Sequence, residues 1–385
     1  MTNASSVAEH ADAPDLLSRQ RGDSPIRLLL IAPSMEIVGG QSVQANYLLS
    51  MLQEVPGLRV TFFPLDPYLP KLLRWTRRVP YLRTFVNSLL YNSRLLRQTR
   101  KHDLIHVFSA GLSSYTLWTI PALTIARLYS KKSILHYHDG QGEQHLREWR
   151  TAKPTITMAD RVIAPSGFLV DVFAKYGIQA RSIFNVLDVS HFRYRRRRKL
   201  RPVFMTNRIL EPLYNVGCIL RAFAIIQKHY PDATLTVAHD GVCRPSLEQL
   251  ARDLQLRNTQ FIGKVSRENI PDLYDSADIY LTSPNIDCMP VSLLECFASG
   301  LPIVATKAGG IPYIVKDRES ALLVDLNDHE AMAARAMELL EDEKLVERLT
   351  DRGLEEVKRY RREPIKHQWA ELYRELATHR GVPSR

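Results

Sequence analysis

Apolar residues along this chain gather into short unbroken runs separated by stripes at helical spacing. Residues 26–32 (IRLLLIA) form one run. Others lie at 103–107, 133–137, 203–208, 233–238, 260–264, 279–282, 303–306 and 322–324. Continuous apolar runs of this length mark parallel strands that are buried on both faces. Between them fall helical stripes: Val43, Tyr47, Leu48 and Leu52, then Ile219, Leu220, Ala222, Phe223 and Ile226. A third comprises Leu293, Leu294, Phe297 and Ala298, and long helices run through Leu339, Leu340, Leu345 and Leu349. The last stripe, over 365–376, carries Trp369, Leu372 and Tyr373. Strands alternating with helices predict βαβ units and doubly wound parallel sheets. Several strands run into glycine loops, among them Gly39-Gly40, His138-Asp139-Gly140 and Gly309-Gly310.

Composition narrows the class. With 385 residues, the chain is long enough for two full cores. Its 45% hydrophobic and 24% charged content is that of a globular protein. Cys218, Cys243, Cys288 and Cys296 show no CxxC pair and no zinc spacing, which argues for a reducing cytoplasm. Residues 1–24 lack the basic start and apolar core of a signal peptide and are expected to form a disordered tail. The window 108–126 carries little charge, but it holds Gly111, three serines and Pro121, so it is expected to be a core helix and not a span.

The net charge of +11 calls for an anionic partner. Residues 68–101 concentrate it: Lys71, Arg74, Arg77, Arg78, Arg83, Arg94, Arg97, Arg100 and Lys101, with no acid. Aromatic and aliphatic residues are interleaved with them. That mixture suits a helix lying on an anionic bilayer surface. A solvated helical hairpin is the alternative. No nucleic-acid recognition motif accompanies the charge, so no nucleic-acid partner is expected.

The most informative stretch is 278–312. It reads as strand, loop, helix, strand, loop. Pro290 suits the first turn of a helix, and Gly300 ends it. Asp287 lies in the loop before the helix and Glu295 inside it, about 7.5 Å along the axis from Pro290. The exposed N–H groups of Val291 and Ser292 lie between these acids and form an anion site. The arrangement suits a ligand with a phosphate at the helix tip and a hydroxyl-bearing sugar beside it. A solvent-facing Glu295 is the plainer alternative.

Asp287-x7-Glu295, followed by Ser299-Gly300-Leu301-Pro302-Ile303-Val304-Ala305-Thr306 and Gly309-Gly310, resembles the donor-site signature of the GT-B retaining glycosyltransferases of family 4. The first acid there is usually Glu and here is Asp. Residues 158–166 resemble the family's Asp-x-Val-Ile-x-x-Ser strand, with Ser166 placed to cap the next helix. The resemblance runs from about Ile26 to Leu376. It implies a GT-B fold, two Rossmann-like parallel-sheet domains facing a central cleft. The boundaries expected are 1–24 for the tail, 25–190 for an acceptor-side domain joined by the returning helix 365–385, and 191–364 for a donor domain. The charge-rich segment 191–202 (HFRYRRRRKLRP) is a candidate hinge between the domains, with a plain solvated linker as the alternative.

The resemblance also implies roles. Arg208 and the helix start at Pro290, Val291 and Ser292 would hold the donor diphosphate, and Glu295 the ribose. Asp287 would contact the sugar, with Cys288 and Met289 lining it. Gly39, Gly40 and His138 would shape the sugar and acceptor side. Relatives carry a diphosphate-binding lysine at position 214, where this chain has Tyr214; a hydrogen bond from Tyr214 or the charge of Lys264 would then substitute. Relatives also have Gly where this chain has His239. No Asp-x-Asp metal signature occurs, so no metal and no cofactor is expected beyond the nucleotide-sugar substrate. The reading is a retaining glycosyltransferase acting on a lipid-linked or surface-polysaccharide acceptor at the cytoplasmic membrane face. The rivals are a GT-B scaffold without turnover, another GT-B enzyme such as an epimerase or phosphorylase, and a basic nucleic-acid binder.

Overall fold

The computed structural model describes residues 24–34, 40–65, 79–109 and 111–378. Gly39, Lys71, Arg74, Arg77, Arg78 and most of the predicted tail lie outside them. The predicted runs become strands which, with two that were not predicted (58–64 and 181–182), make twelve in two parallel sheets. The first sheet contains β1 (Ile26–Ala32), β2 (Leu58–Pro64), β3 (Leu104–Ser109), β4 (Lys132–Tyr137), β5 (Arg161–Ala164) and β6 (Arg181–Ser182), in the order β2-β1-β3-β4-β5-β6. The second contains β7 (Val203–Thr206), β8 (Thr234–Ala238), β9 (Thr259–Gly263), β10 (Ile279–Thr282), β11 (Ile303–Thr306) and β12 (Leu322–Val324), in the order β12-β11-β10-β7-β8-β9. Helices cover both faces of each sheet, so the central strands are buried on both sides. Leu28 to Ala32 are fully buried, as are Ile303, Val304 and Ala305. These are the two doubly wound domains of a GT-B fold.

Two features tie the domains together. The helix Arg362–Thr378 ends the described chain yet packs on the first sheet. Its Ile365, Trp369, Leu372, Tyr373 and Leu376 share a core with Leu28, Leu30 and Ile134. The second is the candidate hinge 191–202, which is not a merely solvated linker. Asp278, only 2% exposed, accepts from Arg195 Nη2 at 2.6 Å and from Arg201 Nε at 2.9 Å. Arg197 is buried and donates to the carbonyls of Ser299 at 2.5 Å, Tyr274 at 3.0 Å and Ala277 at 3.0 Å. A buried carboxylate demands such partners, and they lie about 80 residues away. Ser166 begins the helix Gly167–Lys175 but does not cap it through its side chain, contrary to expectation.

Beneath Trp369 lies a stack of histidines. The His136 ring is 4.0 Å from that of His138 and 5.4 Å from that of His106. His106 Nδ1 pairs with the Tyr373 hydroxyl at 2.7 Å. Neither ring nitrogen of His136 meets a partner among the described residues. Burial pushes the pKa of His106 and of His138 down to about 3, and that of His136 well below its ordinary value. The folded protein therefore refuses protons that the unfolded chain takes up below about pH 6.5. Stability is fully present above that pH. It falls as the pH drops toward 3, by about 1.4 kcal/mol per pH unit for each such histidine. Urea unfolding of His136→Met across pH 7 to 4 should show an acid limb flattened by one such slope. An unchanged limb would mean that His136 is protonated in the fold.

Candidate functional site

The topology dictates where a ligand meets the second domain. In open parallel sheets the crevice forms at the carboxyl ends of strands where the winding reverses. Here that point lies between β7 and β10, which are neighbours with connections leaving in opposite directions. The chain leaves β7 into Asn207 and Arg208, and leaves β10 into the loop 283–290. Residues 79 positions apart thus meet. Arg208 Nη2 donates to Asp287 Oδ2, and Nη1 donates to Ser292 Oγ at 3.2 Å. Arg208 Nε is buried with no partner among the described residues. Burial opposes the guanidinium charge, but Asp287 and the surrounding phenols outweigh it, so Arg208 stays cationic.

Tyr214 does not replace the lost lysine with a charge. The short turn Pro212–Tyr214 sets its ring 4.4 Å from the Arg208 guanidinium, as a support. The Asp287 loop is held from behind by Gly309 and Gly310. Gly310 N–H donates to the Asp287 carbonyl at 2.6 Å. Gly309 sits at φ +48°, and a Cβ there would come within 2.4 Å of the Asp287 carbonyl oxygen. A Cβ on Gly310 would come within 1.9 Å of the Cys288 carbonyl oxygen. Only glycine admits this approach.

The helix Val291–Ser299 starts at Pro290 with no side-chain cap, so its first N–H groups face outward with the positive end of the helix dipole. Glu295 lies one turn further in. It ends a chain of hydrogen bonds that spacing alone does not reveal. Tyr280 donates to Asn207 Oδ1 at 2.8 Å, Asn207 Nδ2 donates to the Tyr274 hydroxyl at 2.9 Å, and Tyr274 donates to Glu295 Oε2 at 2.6 Å. Burial pushes the Glu295 carboxyl up, while Tyr274, Arg208 and Arg267 pull it back.

The first domain closes on this site from the other side. His138 follows β4, stacks on Phe108 at 4.8 Å and is neutral near pH 7. Its carbonyl accepts from Cys288 Sγ at 3.3 Å. Burial pushes the Cys288 thiol far up, which leaves it a neutral filler and not a nucleophile. Met289 Sδ accepts from Asn185 N–H at 3.3 Å. Gly40 starts the helix Gly40–Leu52, and a Cβ there would meet nothing within 4 Å. Among the described residues, no group of three or more His, Cys, Asp or Glu is placed to hold a metal ion.

The profile described as Glycosyl transferases group 1 matches residues 190–356, and that described as Glycosyltransferase Family 4 matches residues 38–191. The chain belongs to glycosyltransferase family 4. It is 30% identical over 157 residues to N-acetyl-alpha-D-glucosaminyl L-malate synthase of Bacillus anthracis, covering 40% of either chain. It is 31% identical over 177 residues to D-inositol 3-phosphate glycosyltransferase of Corynebacterium urealyticum, 44% of this chain and 42% of the relative. The matched parts therefore span about two fifths of the length of these curated relatives. Anabaena Alr3699/HepE, solved with UDP and glucose, superposes with a TM-score of 0.70 at 17% identity, over 90% of this chain and 99% of its own. This family member differs from its expected pattern at His239. That residue sits at φ +82°, a left-handed conformation that explains the glycine of relatives.

Arg208 and Asp287 are 12% and 11% exposed, so neither charge can be orphaned cheaply. Breaking such a pair from one side costs about 3–5 kcal/mol. Urea unfolding should therefore show that Arg208→Ala is less stable than the double variant Arg208→Ala with Asp287→Ala. Additive losses in the double variant would show the two residues to be energetically independent.

Proposed function

We propose that this protein is a retaining, metal-independent glycosyltransferase. It moves a sugar from a nucleoside-diphosphate sugar to a lipid-linked or surface-polysaccharide acceptor at the cytoplasmic face of a membrane. The observation that carries the reading is the convergence of Arg208, an uncapped helix start and Glu295 at the switch point of the second sheet. Glycosyl transfer loads negative charge onto the leaving diphosphate, and fixed positive groups aimed there lower the barrier. Arg208 and the N–H groups of Val291 and Ser292 supply them. Glu295 accepts from the ribose hydroxyls. Asp287 both orients Arg208 and contacts the sugar, with Cys288 and Met289 beside it. His138, neutral, hydrogen-bonds the sugar, and the acceptor approaches from the Gly39-Gly40 side. Among the described residues no side chain stands out as a covalent nucleophile, which favours a front-face transfer assisted by the leaving phosphate. UDP is the first nucleotide to try, because the Anabaena protein of the same fold was solved with it.

The membrane clause rests on the helix Pro80–Lys101. It carries five basic residues and no acid. Tyr81 is 91% exposed, Phe85 67% and Leu89 61%. At 100° per residue these three fall within one narrow face, with Arg100 at its edge and Arg97 further round. Each basic residue near an anionic surface contributes about 1 kcal/mol. No described helix is long and apolar enough to cross a membrane. A second reading, a scaffold without turnover, is favoured by Tyr214 in place of lysine and by the prior pairing of Arg208 with Asp287.

Thermal-shift screening should show stabilisation by UDP or GDP. No shift with any nucleoside diphosphate would favour the scaffold. Titration of the bound nucleotide against pH gives a sharper outcome. Tyr274 favours the charged form of Glu295, so Tyr274→Phe raises its pKa and moves the acid limb of nucleotide binding to higher pH. An unmoved limb would remove Glu295 from the ribose contact. Vesicles containing anionic lipid should pellet the protein at low salt, and Tyr81→Ser with Phe85→Ser should weaken this severalfold. Failure of the wild type to pellet would delete the membrane clause.

A further inference from the structure

The donor site as described has a charge problem. Arg208 is matched by Asp287, and Glu295 adds another negative charge nearby. Tyr214 contributes none. A nucleoside diphosphate arriving here would meet a site that is negative overall, unless the fold brings a further cation.

It brings Arg267. This residue opens the short turn Arg267–Asn269 after β9, in the second domain. Its guanidinium carbon lies 4.6 Å from the ring centroid of Tyr47. Tyr47 belongs to the helix Gly40–Leu52 of the first domain, so the contact spans the cleft. The same charge acts on Glu295 and on Asp188, three residues before the hinge segment. Arg267 thus stands where three parts of the molecule meet: the glycine-loop helix, the hinge and the ribose-side acid.

We propose that Arg267 is the second cation of the donor site, presented to the nucleoside diphosphate by Tyr47 when the two domains are together. The proposal rests on the donor reading above. Arg267 is exposed and Tyr47 half-buried, and a cation–π pair so placed is worth only about 1 kcal/mol. It biases the position of Arg267 without locking the cleft, so the ligand can still enter and leave. Lys264 lies on the same turn and is exposed, but the Tyr47 contact belongs to Arg267.

The test is UDP affinity by calorimetry at low and high salt, together with KM and kcat for the donor. The proteins are wild type, Arg267→Ala, Arg267→Lys, Tyr47→Leu and Arg267→Ala with Tyr47→Leu. Arg267→Ala should weaken UDP at least tenfold, flatten the salt dependence and raise donor KM more than it lowers kcat. Arg267→Lys should recover part of the affinity. Tyr47→Leu should weaken binding a few-fold in the wild-type background and not at all once Arg267 is gone. Unchanged affinity in Arg267→Ala, with a wild type that binds UDP, overturns this proposal and leaves the donor reading standing. Full additivity of Tyr47→Leu with Arg267→Ala overturns the presentation by Tyr47. A wild type that binds neither UDP, GDP nor ADP overturns both readings together.

Discussion

Asp278 is a carboxylate sealed from water at the foot of β10, and the second domain is arranged around the need to neutralise it. Burial works against its ionisation, yet Arg201 and Arg195 hold its pKa below the ordinary carboxylate range. Arg197 completes the clamp by tying down the carbonyls that end two helices. Those helices, Ile270–Ser276 and Val291–Ser299, carry Tyr274, Ser292 and Glu295. The segment joining the domains is therefore also the segment that fixes the far ends of the helices presenting the site. Losing one of these arginines would leave a buried charge partly unmatched, an expensive defect.

Local signals were legible in the sequence. The strands at 279–282 and 303–306 stand where their apolar runs placed them, and Gly300 ends its helix at φ +62° as a glycine C-cap does. The doubly wound architecture followed from alternating strand and helix periods. What escaped was pairing across long sequence separations. The arginine run at 191–202 read as solvated because its partner, Asp278, is nearly 80 residues on. The relay Tyr280, Asn207, Tyr274, Glu295 draws on three elements, and no spacing announces it. The amide of Asn207 supplies both a donor and an acceptor to the relay. Arg267 was invisible for the same reason: its neighbour Tyr47 lies in the other domain.

The contacts across the cleft share a character. Cys288 meets a carbonyl through sulfur, Met289 receives an N–H through sulfur, and Arg267 rests on the half-buried ring of Tyr47. At the opposite rim the Tyr313 hydroxyl donates to Asp171 at 2.5 Å, again near solvent. Thioethers and thiols are soft, adaptable partners. Within each domain the packing is densely apolar, and in the second the pairs Arg197–Asp278 and Arg208–Asp287 are buried or nearly so. The molecule is thus stiff where it must hold a site and yielding where two halves of that site come together.

The helix Arg362–Thr378 has a consequence for how the protein is made. It is the last described element to leave the ribosome, yet it covers the first sheet. Until it arrives, Phe108, Ile134 and the imidazoles of β3 and β4 lack the cover of Trp369 and Tyr373. Domains commonly fold in order of synthesis, but here the first sheet must wait for residues 362–378. The donor half, whose core is complete with Tyr360, is free to finish first. The nascent chain would then carry an apolar face through most of translation, and premature termination anywhere before residue 362 would leave it permanently bare.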